Sequence, residues 1–320
     1  MDTDPSHPDL AGKPLEIKKS ATPSDLHIQS RNRHFASASI ENRDWIRDDP
    51  YGTAFFNALS VTFPKGETFF IEVLKKYRKD VPEKLAGEVA AFIRQEMVHS
   101  REHAFFNRHV TDVGYDITRL EKNLSDVIDG FRSLPAIHHL VATMCLEHLT
   151  AIMAAEFISN PAYFENADEN QKNMWLWHAS EEIEHKGVAY DTWLHVTRDW
   201  SRSKRWAMKS LFMARISLGF AKNRAKGIFD LLRQDGLKGH RAWFGLARYA
   251  LASPGPFRRT LVPWFKFFLP GFHPWNIDDR ELVQLAESDY EAAIMDQPRD
   301  EESVTEIGDR RKPGRLPRVA

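Results

Sequence analysis

From about residue 50 to about residue 252, apolar residues step by three and four, the spacing of a helix with one face toward a core. Four long segments carry the pattern between residues 50 and 195: Ser60 or Gly66 to Tyr77, Pro82 to Val110, Pro135 to Ile158, and Glu169 to Val196. Pro82 suits a first helical turn, Asp168 an N-cap, and Asn160-Pro161 a stop. A shorter helix fits Asp116 to Phe131. The period continues from Ser201 to Ala252, now interleaved with basic residues, until Ser253-Pro254-Gly255-Pro256 interrupts it. The aromatic run Leu261 to Trp275 reads as too broken by proline for a regular element. A last amphipathic helix is expected from Asp278 to Met295. Residues 1 to 45 are polar and proline-dotted, a mobile or draped arm, and Gln297 to Ala320 reads as a disordered charged tail. The expectation is an all-α chain: arm 1–45, helical bundle 46–198, basic aromatic extension 199–296 packed on the bundle, tail 297–320.

Bulk properties narrow this little. The 320 residues are 42% hydrophobic and 28% charged, with a net charge of −1, as in soluble globular proteins. The single cysteine, Cys145, excludes an intramolecular disulfide and a thiolate cluster, and fits a reducing compartment. The opening Met-Asp-Thr-Asp-Pro-Ser-His-Pro lacks the basic and apolar regions of a signal peptide, and no run of about 20 uncharged apolar residues supports a spanning helix. A cytoplasmic, at most membrane-peripheral, protein is expected. The balanced charge hides an asymmetry: between Ser201 and Trp275, fifteen Lys/Arg face only Asp230 and Asp235, a net of +13, so the remainder carries −14.

Polar residues that interrupt the apolar stripes carry the candidate chemistry. Glu96-Met97-Val98-His99 and Glu182-Ile183-Glu184-His185 each place a carboxylate and an imidazole on one helix face. Glu67 precedes the first pair by 29 residues and Glu147 precedes the second by 35. The pattern is a repeated unit, and four antiparallel helices supplying four Glu and two His is the arrangement of a di-metal carboxylate site. Phe92, Glu96, His99, His103 and Phe106 follow a buried stripe, as do Leu140, Met144, Glu147, Ala151 and Ala154, and Trp175, His178, Glu182, His185 and Ala189. Four buried carboxylates repel one another and lose hydration, and two divalent ions cancel that charge. The candidate ligands are Glu67, Glu96, His99, Glu147, Glu182 and His185.

Blander readings stand beside this one. A single Glu-x-x-His is common on solvated faces, and neighbours compete for the roles: Glu72 with Glu67, Glu156 or His148 with Glu147, Glu181 with Glu182. His103 and His178 share the ligand faces and are the catalytic candidates, as a further ligand, as donors that orient a carboxylate, or as a proton relay; each is equally a satisfied core histidine. Cys145 reads as a small core residue. Asp191 could orient a ligand.

The runs Phe63-Pro64-Lys65-Gly66-Glu67-Thr68-Phe69-Phe70, Gln95 to His99 with His103, Glu147-His148-Leu149-Thr150, and Trp177 to Lys186 resemble a bacterial family described as predicted metal-dependent hydrolases, over roughly residues 30 to 285. Phe-His-Pro-Trp, ending at Trp275, is similar to that family's closing segment. The resemblance implies a ferritin-like metalloprotein, here a ferritin-like four-helix bundle with additional C-terminal helices.

Carboxylate-rich ligands with one imidazole per ion favour iron, with manganese or zinc as alternatives. The leading expectation is therefore a di-iron oxidase or oxygenase acting on an apolar or lipid-like small molecule. Metal-dependent hydrolysis is the first alternative, and metal storage or peripheral membrane binding the non-enzymatic one. In the basic segment, Trp206, Trp243, Trp264 and Trp275 stand among the cations, a composition suited to an anionic membrane surface and equally to aromatics packed on the bundle. No nucleic-acid motif accompanies the charge.

Overall fold

A computed structural model describes residues 21–35 and 42–295 of the chain; the charged tail expected at 297–320 lies outside them. The described residues are all-α, and their one β-bridge joins Ile46 to Ala167. Helix α1 spans Pro50–Ser60, where the Asp49 carboxylate accepts from the Tyr51 and Gly52 N–H groups, satisfying donors that a helix start leaves free. Helix α2 (Phe63–Tyr77) follows at once and α3 (Glu83–Asp112) runs directly after Pro82. A shorter α4 (Thr118–Arg132) leads to α5 (Ala136–Ser159), and α6 (Glu169–His185) is capped by the Asp168 carboxylate, as its sequence suggests.

Two expectations change here. A single helix over Glu169–Val196 is instead broken after His185, and α7 (Val188–Val196) resumes beyond Gly187. Another chain segment crosses so closely that a Cβ on Gly187 would stand 2.6 Å from Thr22 Oγ1 and 2.9 Å from Trp275 Nε1. Only glycine fits there. The second concerns α5, which by length and hydropathy alone could cross a membrane, although no such helix was expected. Most of it is buried against other helices and it carries Glu147, so its all-round apolarity marks a central helix.

Helices α2, α3, α5 and α6 form a four-membered ring of contacts: α2 on α3, α3 on α6, α6 on α5 and α5 on α2. The long α8 (Arg202–Gln234) packs across α1 and α5, α9 (Gly239–Leu251) against α1, α10 (Pro256–Lys266) against α5 and α9, and α11 (Arg280–Met295) against α6 and α5. Helix α10 corrects the reading of Leu261–Trp275 as irregular throughout. Pro256 starts it with a suitable φ, and Pro263 lies inside it, where it removes one bond of the ladder without ending the helix.

Two apolar clusters flank the middle of the ring. One gathers α1 with Trp45, Phe106, Phe157, Phe164 and Trp175; the other joins α2, α3, α5 and α7 through Phe70, Leu74, Phe92, Leu140 and Trp193. Phe56 is fully buried in the first, its ring 4.8 Å from Trp175, 4.9 Å from Phe164 and 5.0 Å from Phe157 between centroids. Truncating it leaves a cavity that rigid aromatic neighbours cannot fill. Phe56→Ala is expected to lower unfolding stability by about 3–5 kcal/mol, read from the denaturant midpoint at unchanged slope.

Candidate metal centre

Every proposed ligand is buried at the centre of the four-helix ring: Glu96, His99 and His185 at 0% exposure, Glu67 and Glu147 at 1%, Glu182 at 5%. Two donor groups form within ligand reach. Glu96, His99, Glu182 and His185 make one; Glu67, His99 and His178 make the other. Glu147 belongs to neither, but its Oε2 contacts His185 Nδ1 at 2.9 Å. The rivals fall away. Glu72 pairs with Arg132 at the surface and Glu156 with Arg259. His148 packs between Phe267 and Phe272, and Asp191 accepts from His273 instead of a ligand. Cys145 is fully buried and its thiol is held protonated by burial.

Carboxylates orient both candidate histidine ligands. His99 donates from Nε2 to Glu181 Oε2 at 3.0 Å, turning Nδ1 toward Glu182 Oε1, 4.0 Å away. His185 donates from Nδ1 to Glu147, which leaves Nε2 facing Glu96 Oε1 at 3.3 Å and Glu182 Oε1 at 3.7 Å. Fixing one ring nitrogen so that the other points inward is how proteins prepare imidazole for metal. Ser100 donates to Glu67 Oε2 at 2.8 Å, leaving the other oxygen inward.

A metal fits what is left over. Glu67 Oε1, both oxygens of Glu96, His99 Nδ1, Glu147 Oε1, Glu182 Oε2 and His185 Nε2 are buried without a hydrogen-bond partner. An unpaired buried polar atom costs about 1–3 kcal/mol, so seven in one place from all six candidate residues make a costly void unless a cation gathers them. All seven atoms are oxygen or imidazole nitrogen, donors suited to divalent ions.

The metal-free electrostatics state the same conflict. Burial, with neighbouring carboxylates adding to it, raises Glu67 and Glu96 well above the carboxylate range, and burial lifts Glu147 to about 7 against the pull of His185. Burial also opposes ionisation of Glu182, but His185, His178 and His99 outweigh it and hold that carboxyl at about 2. His185, disfavoured by burial, is nonetheless pushed to about 9 by Glu182 and Glu147.

Sequence reasoning missed several supports. Glu181, weighed only as a rival of Glu182, also accepts from Trp177 Nε1 at 3.2 Å and from the Arg31 backbone N–H at 2.8 Å. Arg31 spreads its guanidinium over Glu184 at 2.6 Å and Glu287 at 3.0 Å, so residues of the presumed arm brace the site. No local signal marks Arg31. Ser60 and Asn107 extend the site as well: Ser60 Oγ meets His103 Nδ1 at 2.8 Å and donates to Asn107 Oδ1 at 2.7 Å. Asn107 lies four residues beyond His103 on the same stripe, a signal that was there to use.

A family model described as predicted metal-dependent hydrolase matches residues 29–278. The chain belongs to this family. No curated protein and no solved structure matches it. The match to the hydrolase family takes in every candidate ligand, and its first residues, Gln29 to Arg31, are those that brace Glu181 and Glu184.

Two predictions follow from the leftover donors. His99→Ala and His185→Ala should each cut bound metal to a small fraction of wild type by elemental analysis, while Glu72→Ala leaves it unchanged. The second concerns pH. His185 has a raised pKa in the fold, so its contribution is complete below its unfolded value, about 6.5, and is lost as pH climbs through about 9. Glu147, also raised, costs stability as it ionises through about 7. Metal-free protein should therefore lose thermal stability steadily from mildly acidic pH to pH 9, and the metal-loaded form much less.

Proposed function

We propose that the chain is a metal-dependent hydrolase whose six buried ligands, Glu67, Glu96, His99, Glu147, Glu182 and His185, hold two divalent ions in a ferritin-like bundle. The convergence of seven unpartnered donor atoms carries the reading, and the family description supplies the reaction class. Two divalent ions balance four carboxylates. Bound there, such ions lower the pKa of water and polarise the bond to be cleaved.

The protein's own part is proton handling. Asn107 donates from Nδ2 to the Ser60 carbonyl at 3.2 Å, which aims its Oδ1 at the Ser60 hydroxyl. That hydroxyl donates to Asn107, so His103 must donate from Nδ1 to Ser60. His103 Nε2 is then an acceptor, and His178 Nδ1, 2.5 Å away, is its donor. Burial keeps His103 neutral, its pKa well below the usual range. The contact of 2.9 Å between His178 Nε2 and Glu182 Oε1 is a hydrogen bond only when a proton lies between them. A proton in that contact stands at the edge of the ligand cluster, within reach of a departing group. The line ends at Asn107, which fixes its polarity and lines an open cleft of about 480 Å³ together with Val61, Lys65 and Tyr115. We assign the substrate to apolar or lipid-like molecules, in keeping with the aromatic walls formed by Phe63, Phe92, Trp175 and Trp177 around the histidines.

The expected oxidase or oxygenase finds no support in the family match, which favours the hydrolytic alternative. One observation keeps oxidation as the second reading: four carboxylates to two imidazoles is a donor set that iron accepts well. Cleavage of aryl and acyl esters by metal-loaded protein should proceed equally in air and under strict anaerobiosis; turnover that requires dioxygen would overturn the hydrolytic reading. His103→Ala should retain metal yet lose about 10²-fold or more in turnover, the worth of general acid–base catalysis, with an altered pH profile. His178→Gln should do the same, whereas loss of metal from that variant would make His178 a ligand.

A further inference from the structure

The basic aromatic segment splits into two populations. Trp275 is buried, Trp206 donates its indole N–H to the Phe268 carbonyl at 2.8 Å, and Trp264 donates to Ser217 Oγ at 2.8 Å, so these rings fasten α8, α10 and the turn after it to the bundle. A second set of apolar residues faces outward. On α9, Ala242 and Tyr249 are buried while Trp243, Phe244 and Leu251 are 66%, 74% and 52% exposed. Positions 243, 244, 247 and 251 share one stripe at steps of three and four, the side opposite the buried one. On α10, Phe257, Val262 and Phe265 are exposed, and on α8 Leu211 and Leu218, one heptad apart, are exposed with them.

Each outward stripe runs beside cations. Arg215 and Lys222 repeat the spacing of Leu211 and Leu218 on the adjacent row of α8, Lys226 continues it, and Arg241 borders Phe244, three residues on, in α9. Among the described residues none of these four pairs with a carboxylate. The helices form one layer: α8 and α10 both lie on α5, α9 on α1 and α10, and the Phe229 and Trp243 rings meet at 4.3 Å. Their buried sides face the bundle, so their exposed stripes face away from it. Large exposed apolar residues repeated along three neighbouring helices are uncommon unless they dock on something.

We propose that the outer face of α8, α9 and α10 seats on an anionic lipid bilayer, with Trp243, Phe244, Phe257 and Phe265 entering the headgroup region and the flanking Arg and Lys meeting lipid phosphates. Charge complementarity selects this occupant. A second copy would bring a segment of net +13 against its own like, and a nucleic acid has no use for exposed Leu218 and Val262. Aromatic and aliphatic residues beside unpaired cations match a surface that is apolar within and anionic at its boundary. The attachment stands independently of the hydrolytic reading. It also places α10, whose C-terminal Phe267 packs on His148 next to the ligand Glu147, between the membrane and the metal centre.

The test is flotation of the full-length, metal-loaded protein with phosphatidylcholine vesicles with and without phosphatidylglycerol, at low and at high salt. Binding is expected only with the anionic lipid and should weaken as salt rises. Trp243→Ser with Phe244→Ser, and separately Lys222→Glu with Lys226→Glu, should each reduce it about tenfold or more while metal content stays at the wild-type value, which separates lost docking from misfolding. Absence of flotation at low salt overturns the proposal. So does binding untouched by both pairs of substitutions, or concentration-dependent dimerisation or RNA binding that those substitutions abolish while vesicles go unbound.

Discussion

Four carboxylates and several imidazoles share one dry space at the centre of this bundle, and the conflict among them organises much that surrounds it. Each carboxylate alone is expensive to desolvate, and together they repel. Among the described residues no lysine or arginine is placed among them to relieve this. It engages the outward atom of Glu67 with Ser100 and those of the two histidines with Glu147 and Glu181, and leaves the inward atoms unmatched. Such an arrangement is unfavourable as a core and favourable as a cage. The stability it gives up without metal is recovered when divalent charge is present, so metal affinity and folding draw on the same free energy.

The cage needs rigid walls, because unmatched donors in a soft core would turn away and pair with one another or with backbone. Phe92 stands edge-on to His185 at 4.8 Å, Trp177 edge-on to His99 at 5.0 Å, and Phe63 lies against both His103 and His178. These rings offer no hydrogen bonds to the inward atoms and leave the imidazoles little freedom to rotate. Arg31 reinforces the far side of the same wall: it bonds to Glu181 and Glu184 and so offsets part of the cost of burying the carboxylate that orients His99.

What could be read from residues alone follows from this physics. A ligand on a helix must sit on the inward stripe, so periodicity marked Glu96, His99, Glu182 and His185 as candidates, the repeated upstream glutamates added Glu67 and Glu147, and the fold buries all six. The all-α class and the helix starts at Asp168 and after Pro82 and Pro135 were legible because caps and prolines act locally. The parts that were not legible depend on distant segments. The need for glycine at 187 exists because Thr22 and Trp275 pass beside it, and the role of Glu181 exists because Arg31 reaches it across 150 residues. Pro263 was overweighted, since a proline is judged by its place in the helix and Pro256 had already set where that helix starts.

The same reasoning separates the two histidine sets. His99 and His185 each spend one nitrogen on a carboxylate and present the other, bare, to the cage, whereas His178 spends one on His103 and the other on Glu182. A ring with both nitrogens engaged holds protons better than it holds metal. The line from Asn107 through Ser60 and His103 has a fixed polarity because the Asn107 amide is pinned to the Ser60 carbonyl, and its donors all point toward the cleft: His178 to His103, His103 to Ser60, Ser60 to Asn107. A core built only for packing would have no reason to align four polar side chains in one direction, and their line between the ligand cluster and the cleft gives the hydrolytic reading its physical content.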